Sequence, residues 1–196
     1  MRKLILILTI LAAVSLAQAN MTLQLDGLYD TGSNVEMLDD QRIDISYSLA
    51  YSQTFENPSW ATDEDGPKVI SDPHNNWVDP AGLTANWIGP DNPFSNNTSE
   101  GFYKYTLDFT IPDWVNTDDL VITGSWATDN TAELFVNGDY SSPVAEKTGY
   151  FDGDGYSDFG SLDDFIITDG FKNGDNSLEF VVYNEGGPSG LLVSEL

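Results

Sequence analysis

The amino-acid sequence predicts an all-β protein built as a two-sheet antiparallel β-sandwich, and three observations predict it. Apolar and polar residues alternate with period two over short runs, as half-buried strands require. Asn-Gly, Gly-Asp-Asn and Gly-Gly-Pro steps punctuate the chain where antiparallel strands must reverse. No window keeps apolar residues at helical spacing for more than about two turns.

Taken in order, the chain opens on a processing signal. Arg2 and Lys3, an apolar run over residues 4–14 and the small-x-small site Ala17-Gln18-Ala19 have the layout of a secretory signal peptide. Its apolar core is too short to span a bilayer well, and no later segment approaches ~18 uninterrupted apolar residues. Residues 1–19 are therefore expected to be removed, leaving residues 20–196 as one domain that starts at Asn20.

The first expected strands are 21–25 and 43–51, the second with Ile43, Ile45, Tyr47, Leu49 and Tyr51 on one face. Residues 52–100 are rich in Pro, Asn, Asp and Trp, with brief strand-like pieces at 68–70 and 87–88. A loop region of this length is expected to gather over one end or face of the sandwich and to carry function. Residues 102–111 form the clearest strand. Tyr103, Tyr105, Leu107, Phe109 and Ile111 share one side, and Lys104, Thr106, Asp108 and Thr110 the other. Residues 120–126, 132–136, 165–168, 177–183 and 191–193 complete the set. Eight or more short strands with turn chemistry between them imply a sandwich or jelly roll.

Charge and cysteine usage narrow the function. Seven bases face 32 acids, a net charge of −25. Signal cleavage removes two of the bases and takes the balance to −27. Such a field repels phosphate backbones, anionic lipids and polyanionic glycans, which excludes nucleic-acid and membrane-surface binding. The excess reads either as solubility, with self-repulsion screened beyond ~10 Å, or as affinity for divalent cations. Cysteine is absent, so an exported chain of this kind must draw its stability from a core or a metal rather than from disulfides. A mature chain of 177 residues is long enough for one full core.

Asp152-Gly-Asp-Gly-Tyr-Ser-Asp158 is the best chemical motif. Asp152, Asp154 and Asp158, with the backbone carbonyl near Tyr156 and Asp163 as a further carboxylate, suit the six to eight oxygens calcium takes at ~2.3–2.6 Å. Neither EF-type register is complete, because Ser157 stands where glycine belongs or the first ligand is lost. Two readings stay open, a calcium loop and a solvated acidic turn.

Asp129 and Asn130, beside Trp126, could serve sugar hydroxyls or cap strand-end backbone. Asn137-Gly138 reads first as a type I′ turn. Of five tryptophans, Trp126 ends an apolar strand and reads as core, while Trp60 and Trp77 lie in the polar 52–100 region and are the candidate platforms for sugar rings. His74 is the single histidine, in what reads as an ordinary turn, and no Gly-x-Ser-x-Gly elbow accompanies it. Glu133 and Glu179 occupy polar alternation positions that exposed strand faces explain, so no catalytic pair is assigned.

The tract 103–111, Gly124-x-Trp-Ala-x-Asp-Asn130, Val136-Asn-Gly138, Phe171-x-x-Gly-x-Asn176 and Asn184-x-Gly-Gly-Pro-x-Gly-Leu191 resembles the galactose-binding-like jelly rolls. It is most similar to an uncharacterised exported subset found in bacterial surface proteins that carry a PEP-CTERM sorting tail. Gly27-Leu-Tyr-Asp-Thr-Gly32, Trp77 and Asn86-Trp-Ile-Gly-Pro90 fit that subset too. No such tail follows Leu196, so the resemblance implies a released protein as readily as an anchored one, and residues 147–160 form an acidic insertion. The resemblance implies a sandwich that binds glycans, phospholipids or no known ligand. The expectation is an exported, non-catalytic module, extracellular, at the cell surface or periplasmic, that binds neutral glycan or contacts a surface or matrix component, with calcium as its one expected cofactor. The alternatives are a purely structural or adhesive protein and, more weakly, a small jelly-roll glycan hydrolase.

Overall fold

The computed structural model describes residues 25–38, 41–56, 58–90, 98–147 and 159–196. The expected signal peptide, nearly all of the expected 21–25 strand, and Asp152, Asp154, Tyr156 and Asp158 lie outside the described residues.

Thirteen strands run through the described residues: β1 (Val35–Leu38), β2 (Gln41–Asp44), β3 (Tyr47–Ser52), β4 (Ala61–Asp63), β5 (Lys68–Val69), β6 (Ile88–Gly89), β7 (Gly101–Ile111), β8 (Ile122–Asp129), β9 (Thr131–Val136), β10 (Ala145–Lys147), β11 (Asp163–Ile167), β12 (Gly174–Asn184) and β13 (Gly190–Ser194). They form two antiparallel sheets packed face to face, a β-sandwich as the alternation predicts. One sheet has the order β1-β2-β5-β6-β13-β8-β11 and the other β10-β9-β12-β7-β3-β4.

The long strands follow from alternation. In β7 the side chains of Tyr103, Tyr105, Leu107, Phe109 and Ile111 are buried, and in its partner β12 those of Leu178, Phe180 and Val182. Between the sheets, Trp126 of β8 meets Phe165 of the neighbouring β11 edge-on at 6.0 Å and, across the sandwich, Phe180 of β12 at 5.8 Å. These rings fill the space between the sheets, each contributing about 1.5–3 kcal/mol of burial.

The expected 43–51 strand is in fact two strands in different sheets. The Asp44 carboxylate accepts from the Ser46 amide at 3.0 Å and from the Gly32 amide at 2.5 Å. That side chain-to-backbone bond two residues on turns the chain, and Ile45 is left exposed at the corner. β8 and β9 likewise belong to different sheets, and Asn130 is the single residue between them.

The described parts of residues 52–100 do not gather on one face. The segment around Phe55 and Trp60 lies over the outer face of the six-stranded sheet. Residues 70–87 cover the other sheet, where Ile70, Trp77, Ala85 and Trp87 pack on Ala127 and Leu192 as a second buried cluster. The Trp77 and Trp87 rings pack against each other, tilted by 36° with centroids 4.3 Å apart. They approach β13 at Gly190, where a Cβ would stand 2.9 Å from Trp77 Cη2 and 3.1 Å from Trp87 Cε3. The outer faces of both sheets carry apolar side chains, so each needs its own cover.

Candidate functional site

The outer face of the six-stranded sheet carries the candidate site. Strand register puts its side chains in rows. Glu146 of β10 lies opposite Glu133 of β9, Glu133 opposite Val181 of β12, and Val181 opposite Lys104 of β7. The next row runs Thr131, Tyr183, Phe102 and Ser52, and the row on the other side runs Phe135, Glu179 and Thr106. Phe55 lies over these rows, stacked on Phe102 at 5.5 Å and on Phe135 at 5.8 Å.

Between them opens a groove of about 370 Å³. Phe55, Phe102, Tyr183 and Val181 give it apolar walls, and Thr131, Glu133 and Glu146 give it oxygen acceptors. Phe102 and Tyr183 are themselves paired at 4.8 Å, and the Tyr183 hydroxyl donates to Glu100 Oε1 at 3.0 Å. Partial burial, with the charge of Glu146 opposite, raises the Glu133 carboxyl above its usual range.

A polar clamp beside the groove holds its wall. Lys104 Nζ lies 3.5 Å from Glu179 Oε2 and donates to the Tyr140 hydroxyl at 3.1 Å, and that hydroxyl donates to Glu179. Glu179 is 7 % exposed, so it is no exposed face residue; the alternation was right, but Tyr140 and Lys104 cover it. Burial, followed by the bond to Glu179 and its charge, pushes the Tyr140 hydroxyl pKa up. The Lys104 ammonium also sits 5.0 Å over the Trp60 ring. Tyr140 in turn packs edge-on against Phe55 at 5.7 Å and Phe135 at 5.1 Å.

The sequence-predicted sugar residues separate. Trp60 is half-buried on this same sheet face, but Lys104 takes a face of its ring and its buried Nε1 has no hydrogen-bond partner among the described residues. Trp77 is not a surface platform. It is 5 % exposed beneath the 70–87 cover, because its ring fills the space over Gly190. Asp129 is brought to it, 4 % exposed and accepting from Trp77 Nε1 at 2.8 Å. Burial raises the Asp129 carboxyl to about 6, against the lowering effect of that bond. The pair is a core contact on the opposite sheet from the groove. Asn130 is tied to its strand-end neighbours, its Oδ1 accepting from the Glu185 amide at 3.0 Å and its backbone carbonyl from the Thr128 hydroxyl at 2.8 Å. It precedes Thr131 at the groove.

Of the expected calcium ligands, only Asp163 is described. It opens β11 opposite Trp126 and is exposed. Among the described residues no group of three or more His, Cys, Asp or Glu side chains is placed to hold a metal ion. The His74 Nδ1 accepts from the Asn76 amide at 3.3 Å within the turn expected there.

Sequence reasoning missed Phe55, Phe102 and Tyr183 as wall residues and Glu146 altogether. The available signal was aromatic residues at outward positions of predicted strands, Phe102 beside Tyr103 and Tyr183 beside Val182.

No family model matches the chain, and no curated protein matches it. A solved structure, the crystal structure of a β-glucosidase from Kluyveromyces marxianus in complex with glucose, is similar at 13 % identity and a TM-score of 0.34. The likeness covers 86 % of this chain and 18 % of that one. This chain therefore spans less than a fifth of that structure's length, and a likeness of this degree assigns it neither a ligand nor an activity.

Proposed function

We propose that the protein is an exported, non-catalytic β-sandwich module that binds carbohydrate in the groove on the outer face of the six-stranded sheet. The observation that carries this reading is the composition of that groove: Phe55, Phe102 and Tyr183 beside Thr131, Glu133 and Glu146. Aromatic walls suit the C–H faces of a sugar ring, and the carboxylates and hydroxyl accept from its hydroxyl groups. The Lys104–Glu179–Tyr140 clamp holds the walls in place before a ligand arrives, which lowers the ordering cost of binding. Export rests on the sequence of residues 1–19, and mass spectrometry of the secreted protein should find Asn20 first.

A glycan array followed by titration calorimetry tests the binding. Phe102→Ala is expected to weaken a bound oligosaccharide about tenfold, whereas Trp77→Phe leaves the affinity unchanged. Absence of binding to every neutral and amino sugar would turn the reading to a structural or adhesive surface protein, which the burial of Trp77 and Asp129 favours. Release of reducing ends from a bound polysaccharide, lost on Glu133→Gln, would show the protein to be a hydrolase instead.

Calcium at residues 152–158 is a proposal from sequence alone. Melting in calcium against chelator tests it, and a shift in the native chain that Asp154→Ala abolishes is the expected result. A hundredfold excess over Kd would stabilise the native state by about 2.7 kcal/mol.

A further inference from the structure

The groove contains an arrangement that a neutral sugar does not explain. Glu133 and Glu146 stand directly opposite on neighbouring strands, and like charges in that position destabilise a sheet. Among the described residues neither carboxylate has a hydrogen-bond or ion-pair partner. The nearest cation in the same row, Lys104, turns away to Glu179 and Tyr140. The other ion pair among the described residues, Lys68 with Asp63, lies on the connection from β4 to β5. Beside the two carboxylates stand the rings of Phe55, Phe102 and Tyr183, and aromatic faces attract cations as well as apolar groups.

We infer that the groove selects an organic ammonium group: Glu133 and Glu146 neutralise it, the Phe55, Phe102 and Tyr183 rings pack against its carbon skeleton, and the carbohydrate held there is one with free amino groups. This rests on the carbohydrate reading of the same groove and names its substrate class. An ammonium donates to both carboxylates at once and cancels their repulsion. A neutral hydroxyl supplies a hydrogen bond but leaves both charges in place. N-acetylation removes the positive charge and adds bulk where the two side chains converge. The acidity of the whole chain acts in the same direction, drawing cationic oligomers toward the surface before the groove selects among them.

The test is calorimetry on the full secreted chain with a fully deacetylated glucosamine oligomer, its N-acetylated counterpart and a neutral glucose oligomer of equal length. The expected result is at least tenfold tighter binding of the deacetylated oligomer, with Glu146→Gln removing that advantage and sparing the neutral oligomer. Glu64→Gln, which removes one exposed charge away from the groove, controls for long-range attraction; it should leave the preference intact. If Glu64→Gln weakens binding as much as Glu146→Gln, the preference is bulk electrostatics and the inference fails. Equal binding of all three oligomers, lost together in Phe102→Ala, overturns the ammonium inference and keeps the carbohydrate reading. Binding of none of them overturns both, and saturable binding of tetramethylammonium in that case assigns the groove to a quaternary ammonium ligand instead.

Discussion

Two carboxylates show how position in the fold decides what a residue does. Glu133 and Glu179 hold equivalent alternating positions on neighbouring strands, yet one faces an open groove and the other lies beneath Tyr140 and Lys104. Removing the cation from the buried pair leaves a desolvated charge. Lys104→Met is therefore expected to lower stability by about 1–3 kcal/mol, with Lys104→Met/Glu179→Gln recovering part of the loss in urea titrations. The Trp77–Asp129 contact makes the complementary case. Trp77→Phe removes the donor and leaves the Asp129 carboxylate without it, a cost of about 1–3 kcal/mol. Asp129→Asn keeps an acceptor oxygen for the indole and removes the buried charge, so at pH 7 it should be neutral or stabilising.

Among the elements, the β9–β10 connection governs the groove, because β10 presents Glu146 to it. The connection starts on Asn137 and Gly138, with φ of 54° and 71°. These are the two left-handed residues of a type I′ turn. Asn137 is fixed further by its side chain, which accepts from the Ser177 amide at 3.0 Å and donates to the Gly170 carbonyl at 2.9 Å. A Cβ at position 138 meets only Glu179 Oε1 at 3.5 Å, so the backbone conformation rather than space is what excludes a side chain. Gly138→Ala should cost about 1 kcal/mol and weaken ligand affinity through a loosened β10. Denaturation and calorimetry on the same variant separate the two effects, and an unchanged affinity would show that β10 holds its place without the turn.

For the molecule as a whole, acidity and burial combine into a pH dependence. Asp44 and Asp129 are both raised from 3.8 to about 6, chiefly by burial. A native pKa above the unfolded one means that the native state holds the extra protons between those values. Their stabilising contribution is fully present below about pH 4 and is lost as the pH rises toward 6, by about 2–3 kcal/mol per group. Self-repulsion among 32 acids adds loss in the same direction. The urea midpoint is therefore expected to be higher at pH 4.5 than at pH 7, and Asp129→Asn should flatten the dependence. A midpoint that falls steadily on acidification would contradict the buried state of both groups.

The sandwich was legible in the chain because strand alternation and turn chemistry are local. The 102–111 pattern and the Asn137-Gly138 step each state their own conformation within a few residues. The break between β2 and β3 was not, since Ile43, Ile45 and Tyr47 keep perfect alternation while the bonds that the Asp44 carboxylate accepts from the Gly32 and Ser46 amides hold the corner. The site was harder still. An aromatic residue has the same sequence signature whether it fills a core, as Trp77 does, or walls a groove, as Phe102 does. Which it becomes depends on the segment packed above it, and residues 52–100 could have covered either sheet. The sequence by itself determined most of the strands, though not β1, β4 or β10, together with the acidity and the absence of disulfides, all properties of short windows or of composition. Only the tertiary structure decided that Glu133 and Glu146 face each other beside Phe55, Phe102 and Tyr183, because strand register joins residues that the chain holds far apart.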